Sequence, residues 1–388
     1  MKDVTISESV LYIGVDDHDL DLFESQYDVP NGMAYNSYVI LDDKIAVMDT
    51  ADSRVTAEWL ANLDAALAGR APDYLVVQHV EPDHSGSIAA LLERYPDITL
   101  VGNAKTFALL GQFYPALAEL KNKLTVKEGD TLSLGGHKLQ FTMTPMVHWP
   151  EVMMTYEQSE KLFFTADAFG KFGTLDTEED WACEARRYYF NIVGKYGIQV
   201  QNVLKKASAL EINMILPLHG PILKDDLGYY LHLYDTWSSY EPESKGIFIA
   251  CASIHGNTLK AAERFKEMLE AKGAEKVALT DLTREDLAEA VEDAFRYDRM
   301  VLMACSYDAG VFPVMEDFLC HLRAKTYRSR RVAVIENGSW APSAARVMKS
   351  YLEQLKDIEL VGETITIKST LTPETEQKLA ALADELVK

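Results

Sequence analysis

Nine residues, Gln78-His79-Val80-Glu81-Pro82-Asp83-His84-Ser85-Gly86, place four potential metal ligands within six positions, directly after the apolar run Tyr74-Leu75-Val76-Val77. His79, Glu81 and Asp83 are spaced two apart, and residues at that spacing on an extended segment project to the same side. Three ligand heads can therefore converge on one cavity, with His84 turning inward from the loop that follows. Three more ligand-type residues stand at strand-to-turn junctions downstream: His148 in Pro145-Met146-Val147-His148-Trp149-Pro150, Asp167 in Phe164-Thr165-Ala166-Asp167-Ala168, and His219 in Leu216-Pro217-Leu218-His219-Gly220-Pro221. Four imidazoles and three carboxylates suffice for two cations that share one bridging carboxylate, with positions left open for substrate. His18, in a charged stretch, and His137, after Gly135-Gly136, lack partners at ligand spacing and read as structural.

A second constellation follows the apolar strand Ile247–Ala252. Ser253-Ile254-His255-Gly256-Asn257-Thr258 is a loop of small and hydroxyl residues that opens a helix, which offers free backbone N–H groups and the positive end of the helix dipole to a phosphate. It lacks both the Lys-Ser/Thr ending of a nucleoside-triphosphate loop and the three-glycine dinucleotide pattern, so a monophosphate fits better. Two later strand ends contribute loops to the same edge: Ser306-Tyr307-Asp308-Ala309-Gly310, and Glu336 to Ser343 with Asn337, Gly338, Ser339 and Trp340. In a doubly wound sheet the ligand sits at the carboxyl ends of the strands.

The elements that must position these groups are legible from periodicity. In the first part, a hairpin spans about 35–50, and apolar positions from Ser53 to Leu67 recur at helical spacing. Then come a strand at 74–78, a helix over Ile88–Arg94, and strands at 98–101, 124–126, 131–134, 139–145, 152–156 and 161–165. The polar stretch Ser238 to Gly246 is the best linker, which divides the chain into domains at 1–243 and 244–388. Beyond it, strands at 247–252, 276–279, 300–304, 331–335 and 359–361 alternate with helices at 258–272, 284–295, 314–324, 343–355 and 372–387, the pattern of a parallel doubly wound sheet.

Composition narrows the function. A chain of 388 residues with 48% hydrophobic content is a packed globular protein of two or three domains. Its formal charge of −22 argues against a nucleic-acid partner, which needs a basic footprint. No apolar run is long enough to span a membrane, and Met1-Lys2-Asp3-Val4-Thr5 does not open a secretion signal, so the expected location is cytoplasmic. The four cysteines form no Cys-X-X-Cys pair and read as small buried hydrophobes.

The order His79-X-Glu81-X-Asp83-His84, then His148, Asp167 and His219, resembles the metallo-β-lactamase fold and, within it, the flavodiiron branch. Hydrolases of that superfamily usually carry His where Glu81 stands; a carboxylate there makes the site harder and more anionic, which suits iron better than zinc. The resemblance implies an N-terminal αββα domain followed by a flavodoxin-like five-stranded sheet. It also implies one non-haem iron on His79, Glu81 and His148, a second on Asp83, His84 and His219, and Asp167 bridging, with His84 the least secure because some relatives do not use that position. The order Ser-X-X-Gly-Asn-Thr resembles the flavodoxin phosphate loop, with His255 where flavodoxins commonly have Thr, so FMN is the expected cofactor. Tyr307 and Trp340 are aromatic candidates to sandwich its ring. Tyr188, Tyr189 and Trp149 are expected near the irons, a tyrosine of that segment as proton donor, although Gly194-Lys195-Tyr196 departs from the proline-containing version expected in relatives.

A flavin carries up to two electrons and a diferrous pair two more, enough to take dioxygen to water or to couple two nitric oxide molecules to nitrous oxide. The resemblance further implies a head-to-tail homodimer or a dimer of dimers. The sequence ends without a cysteine-rich module, so electrons are expected from outside, from a rubredoxin-type carrier or a reduced deazaflavin. Two rivals are a dinuclear zinc hydrolase with an added flavodoxin domain, against which Glu81 counts, and an electron carrier with an idle metal pocket.

Overall fold

The computed structural model of the protein describes residues 4–388. The chain divides into two compact units: the first runs to Tyr189 and resumes over Ile198–Tyr234, and the second comprises Phe190–Gly197 and Asp235–Lys388.

The first unit is built on two sheets. One has strands β1 (Val10–Tyr12), β2 (Tyr38–Ile40), β3 (Ala46–Met48), β4 (Tyr74–Val76), β5 (Thr99–Gly102) and β6 (Lys123–Thr125), adjacent in that order. The other has β7 (Thr131–Ser133), β8 (Lys138–Met143), β9 (Met153–Glu157), β10 (Leu162–Phe164) and β11 (Met214–Leu216), again in chain order. Residues two apart share a face of a strand, and the pairs Val10/Tyr12, Tyr38/Ile40 and Ala46/Met48 of the first sheet join Leu139/Phe141 and Leu162/Phe164 of the second in one buried cluster. The expected hairpin is β2–β3, with Val39 opposite Val47.

Within the second sheet β8 and β10 both pair antiparallel with β9, and β11 pairs parallel with β10. The carboxyl ends of β8, β10 and β11 therefore lie at one edge. A hydrogen bond from Met153 N to Gln78 O, 3.1 Å, stitches the end of β4 to the start of β9, which brings the first sheet's loop to that same edge. Helices also form at Ala104–Phe113, Trp181–Tyr188, Gly197–Ala207 and Leu227–Ser238, beyond those expected from the sequence.

The second unit has the parallel order β13 (Val277–Asp281), β12 (Ser244–Ala252), β14 (Tyr297–Tyr307), β15 (Arg328–Asn337), β16 (Lys356–Leu360). Ile247, Ile249 and Cys251 alternate onto one face with Val301, Met303, Ala333 and Ile335, covered by the helices Asn257–Ala271 and Pro373–Leu386 through Phe265, Leu269, Leu379 and Leu382. Each such fully buried aliphatic side chain contributes about 1.5–3 kcal/mol. One expectation is corrected here. The fifth strand is split: β16 pairs the first half of β15, and after Gly362 (φ +65°) a further strand, β17 (Ile365–Ile367), pairs its second half. The short apolar run Leu360-Val361 masked the second piece.

Candidate metal centre and flavin cleft

Seven side chains from four strand ends converge in the first unit. His79 and Glu81 follow β4, His148 follows β8, Asp167 follows β10 and His219 follows β11; all seven are buried. They form two groups, His79–Glu81–His148–Asp167 and Asp83–His84–His219. The ligand order expected from the sequence is thus brought together in space, with one correction to its cause. Asp83 and His84 do not sit on an extended segment and its loop; they belong to a one-turn helix, Pro82–Ser85, that Pro82 opens at its first position. Successive positions on that turn send the two side chains to the second group.

Asp167 spans the groups. Its Oδ2 lies 3.0 Å from His148 Nε2 and 3.6 Å from His79 Nε2, whereas its Oδ1 lies 3.1 Å from His84 Nε2 and 4.0 Å from His219 Nε2. Separations near 3 Å are those of adjacent donor atoms around a cation with bonds of about 2.1 Å. Several of these atoms are buried with no hydrogen-bond partner: both oxygens of Asp83, both ring nitrogens of His84, Asp167 Oδ1 and His219 Nε2. Buried polar groups are almost always satisfied, so this set fits a pair of metal ions.

The surroundings fix which nitrogen faces inward. His79 Nδ1 donates to Glu151 Oε1 at 2.8 Å, and His219 Nδ1 donates to the Ala34 carbonyl at 2.8 Å. With the proton on Nδ1, each Nε2 keeps its lone pair for a cation. Buried Asp49 clasps the approach: its Oδ1 accepts from Gln78 N at 2.8 Å and His79 N at 3.3 Å, and its Oδ2 from the Gln78 amide at 2.9 Å. Neither Glu151 nor Asp49 was named from the sequence, because their partners are distant in the chain and each is an ordinary acid in an ordinary turn.

The electrostatics favour a cation. Burial works against charge on His79, yet Asp167, Glu151 and Glu81 push its pKa well above the usual value; burial likewise opposes charge on His148, and bonds to Asp167 and Glu81 still raise it to about 9. Burial would raise Asp167, but His79 and His84 hold it well below the ordinary carboxylate range. These carboxylates draw protons onto imidazoles, and metal ions would take the place of those protons.

Aromatic rings wall the centre. Trp149 meets His79 edge-on at 5.2 Å and stacks on Phe113 at 5.7 Å. The hairpin turn at Glu24 and Ser25 (φ 48° and 58°) lays Phe23 against His219 at 5.5 Å. The two candidate tyrosines separate. The Tyr188 ring is 5.6 Å from His219, and burial first, then the charges of Asp167, Glu81 and Asp83, push its pKa well up. Tyr189 instead packs edge-on against Tyr234 at 5.2 Å. The two bystander histidines sit elsewhere: His137 bonds Asp42 and Glu160, and His18 faces Asp176 at 3.4 Å.

In the second unit a cleft of about 380 Å³ opens at the carboxyl ends of β12, β14 and β15. Ser253, Ile254, His255, Asn257 and Thr258 line it, with Ser306, Tyr307, Asp308 and Ala309 and with Asn337, Gly338, Ser339 and Trp340. Gly256 and Gly310 are not among the lining residues and act through the backbone. Gly256 stands at φ +82° immediately before the helix Asn257–Ala271, where no side chain caps the first turn. Gly310 closes a tight hairpin whose turn residues, Asp308 and Ala309, have φ 46° and 59°. Gly338 allows a close approach, since a Cβ there would stand 2.7 Å from Pro342 Cα. Ser369 and Cys305 also line the cleft and lie outside the loops read from the sequence, whereas Ser343 ends the third of those loops; Cys305, like Cys183 and Cys320, is half-buried, and only Cys251 of the four cysteines is the core hydrophobe expected. Ser253 Oγ is buried in this wall without a partner, and no Lys or Arg is among the lining residues, which suits a phosphate bound by hydroxyl and N–H donors.

Comparisons with known proteins agree with this fold. Residues 33–220 match the family model for ODP family beta lactamases. The chain is 27% identical over 373 residues to a putative diflavin flavoprotein A 2 of Synechocystis, covering 93% of this chain but 63% of that protein's length. It is 28% identical over 370 residues to a nitric oxide reductase of Moorella thermoacetica, covering 93% of this chain and 92% of the relative. The solved rubredoxin oxygen:oxidoreductase of Desulfovibrio gigas superposes with a TM-score of 0.92 at 21% identity, over 99% of this chain and 97% of that one. The fold and the site together define a metallo-β-lactamase-like domain joined to a flavodoxin-like one. In fold the chain is similar to solved flavodiiron proteins. Among the described residues no helix is long and apolar enough to cross a membrane.

Proposed function

We propose that this protein reduces dioxygen to water, nitric oxide to nitrous oxide, or both, at two irons held in the first unit, with electrons received through FMN in the second. The observation that carries this reading is Asp167, whose two oxygens face two separate sets of buried ligand atoms. His79, Glu81 and His148 would hold one iron and Asp83, His84 and His219 the other. Iron and FMN together supply the four electrons that dioxygen needs. Glu151 and Ala34 keep the ligand nitrogens aimed inward, Trp149 and Phe23 shield the centre from bulk water, and the Tyr188 hydroxyl is a proton source beside His219.

The FMN would lie between the loops at 253–258, 306–310 and 337–340, its phosphate at the start of the helix Asn257–Ala271. The reading assigns 1–243 to the diiron domain and 244–388 to the FMN domain. It places the protein in the cytoplasm as a head-to-tail homodimer or dimer of dimers, fed by a rubredoxin-type carrier or a reduced deazaflavin. The test is metal and flavin analysis of freshly isolated protein, then anaerobic assays with each gas and an artificial donor. His79→Ala should abolish turnover while FMN stays bound. Two zinc ions and no iron would favour a hydrolase; flavin reduction without gas consumption, indifferent to His79→Ala, would leave an electron carrier.

A further inference from the structure

We propose that Asn337 is a positioning residue that holds the Thr258 hydroxyl as a donor to the flavin phosphate, so that the cleft selects phosphorylated flavin over riboflavin. The inference rests on the FMN reading above. Its geometry begins at Ser369, whose backbone N–H donates to Asn337 Oδ1 at 3.0 Å. An N–H needs an acceptor, which identifies that atom as the amide oxygen and places the amide nitrogen at the other end. That nitrogen donates to the Ser369 carbonyl at 3.1 Å and to Thr258 Oγ1 at 3.2 Å.

An amide nitrogen can only donate, so Thr258 Oγ1 has to accept, and its own proton points elsewhere. Thr258 is 2% exposed, lies in the first turn of the helix Asn257–Ala271 and lines the cleft. The hydroxyl makes no other hydrogen bond among the described residues, so its proton is left for a ligand. The buried, unpartnered Ser253 Oγ lines the same cleft, and the first N–H groups of the helix have no side-chain cap. With no Lys or Arg in the lining, preset donors of this kind carry the recognition of an anion. Asn337 therefore acts through Thr258 and not on the flavin ring.

The test uses the full chain stripped of flavin, titrated with FMN and with riboflavin by fluorescence quenching, with melting curves for every variant. In Asn337→Asp a carboxylate accepts the Thr258 proton and turns it away from the ligand. FMN affinity should fall about tenfold to a hundredfold, the effect of losing one hydrogen bond to a charged group, with riboflavin affinity unchanged. Thr258→Val should do the same, and adding Asn337→Asp to it should cost no more than about a further twofold. Equal losses for FMN and riboflavin, or effects of the two substitutions that multiply, would overturn the inference and show that Asn337 only shapes the wall through Ser369. Wild-type chain that binds neither flavin would overturn the FMN reading and this inference with it.

Discussion

Glu151 Oε1 accepts the Nδ1 proton of His79 at 2.8 Å, with both side chains wholly buried. The same oxygen accepts from Val80 N at 3.0 Å, so one carboxylate sets the ring and the backbone of the ligand loop together. Burial would raise Glu151, but the bond to His79 holds its pKa below the ordinary value. Glu151→Gln presents either an oxygen or an NH₂ to that ring and removes the charge. Affinity for the metal ion on the His79 side should drop about tenfold to a hundredfold. Chelator competition with metal counting checks this; unchanged affinity would remove Glu151 from the ligand-orienting role.

The adjacent tyrosines give a matched pair. Tyr188 faces His219 and its hydroxyl is buried without a hydrogen-bond partner, whereas Tyr189 packs on Tyr234. If Tyr188 supplies a proton, Tyr188→Phe should slow turnover about a hundredfold at full iron content, the usual range for general acid catalysis. Tyr189→Phe should act through stability instead. Equal rates for Tyr188→Phe and wild type would refute the assignment.

His137 carries a pH dependence of stability that is separate from the centre. Burial opposes its charge, but bonds to Glu160 and Asp42 raise its pKa, while Asp42 and Glu160, which burial alone would raise, are held below their usual values mainly by hydrogen bonds. A raised histidine stabilises fully below its unfolded pKa of about 6.5 and loses the effect as pH rises through its folded value; the lowered acids stabilise above about 4 and lose theirs as pH falls through their folded values. The melting difference between wild type and His137→Asn should therefore peak between about pH 4.5 and 6.5 and shrink toward alkaline pH. A difference flat across that range would show that the charges contribute nothing.

Arg330 is a buried cation held by backbone carbonyls: its guanidinium donates to those of Phe295 at 2.6 Å, Tyr240 at 2.7 Å and Tyr297 at 2.9 Å. Arg330→Met would strand those carbonyls, each unsatisfied group costing about 1–3 kcal/mol. Urea unfolding should show a loss of about 3 kcal/mol or more for the second unit. A loss under about 1 kcal/mol would mean water replaces the guanidinium.

Much of this protein is set by local chemistry and so was legible in the residues. Alternating apolar pairs such as Ile247/Ile249 and Leu139/Phe141 define strands whichever neighbours they meet, and the ligands stand at strand ends because a loop is where a polar head can turn inward. The helix Ile88–Arg94 and the loop before Asn257 follow from periodicity and a glycine with positive φ. Pro82, by contrast, turned an apparent extension of β4 into helix, which redirected Asp83 and His84.

The rest needed three dimensions. That His79 is oriented by Glu151, 72 positions away, or that Ser369 and Asn337, 32 apart, close one wall of the cleft, depends on which strands lie side by side. Residue types and order determined the ligand inventory and the class of fold. Tertiary packing alone decided which nitrogen of His79 and of His219 faces inward, because hydrogen bonds between distant residues form only after packing has removed the water that would otherwise satisfy them.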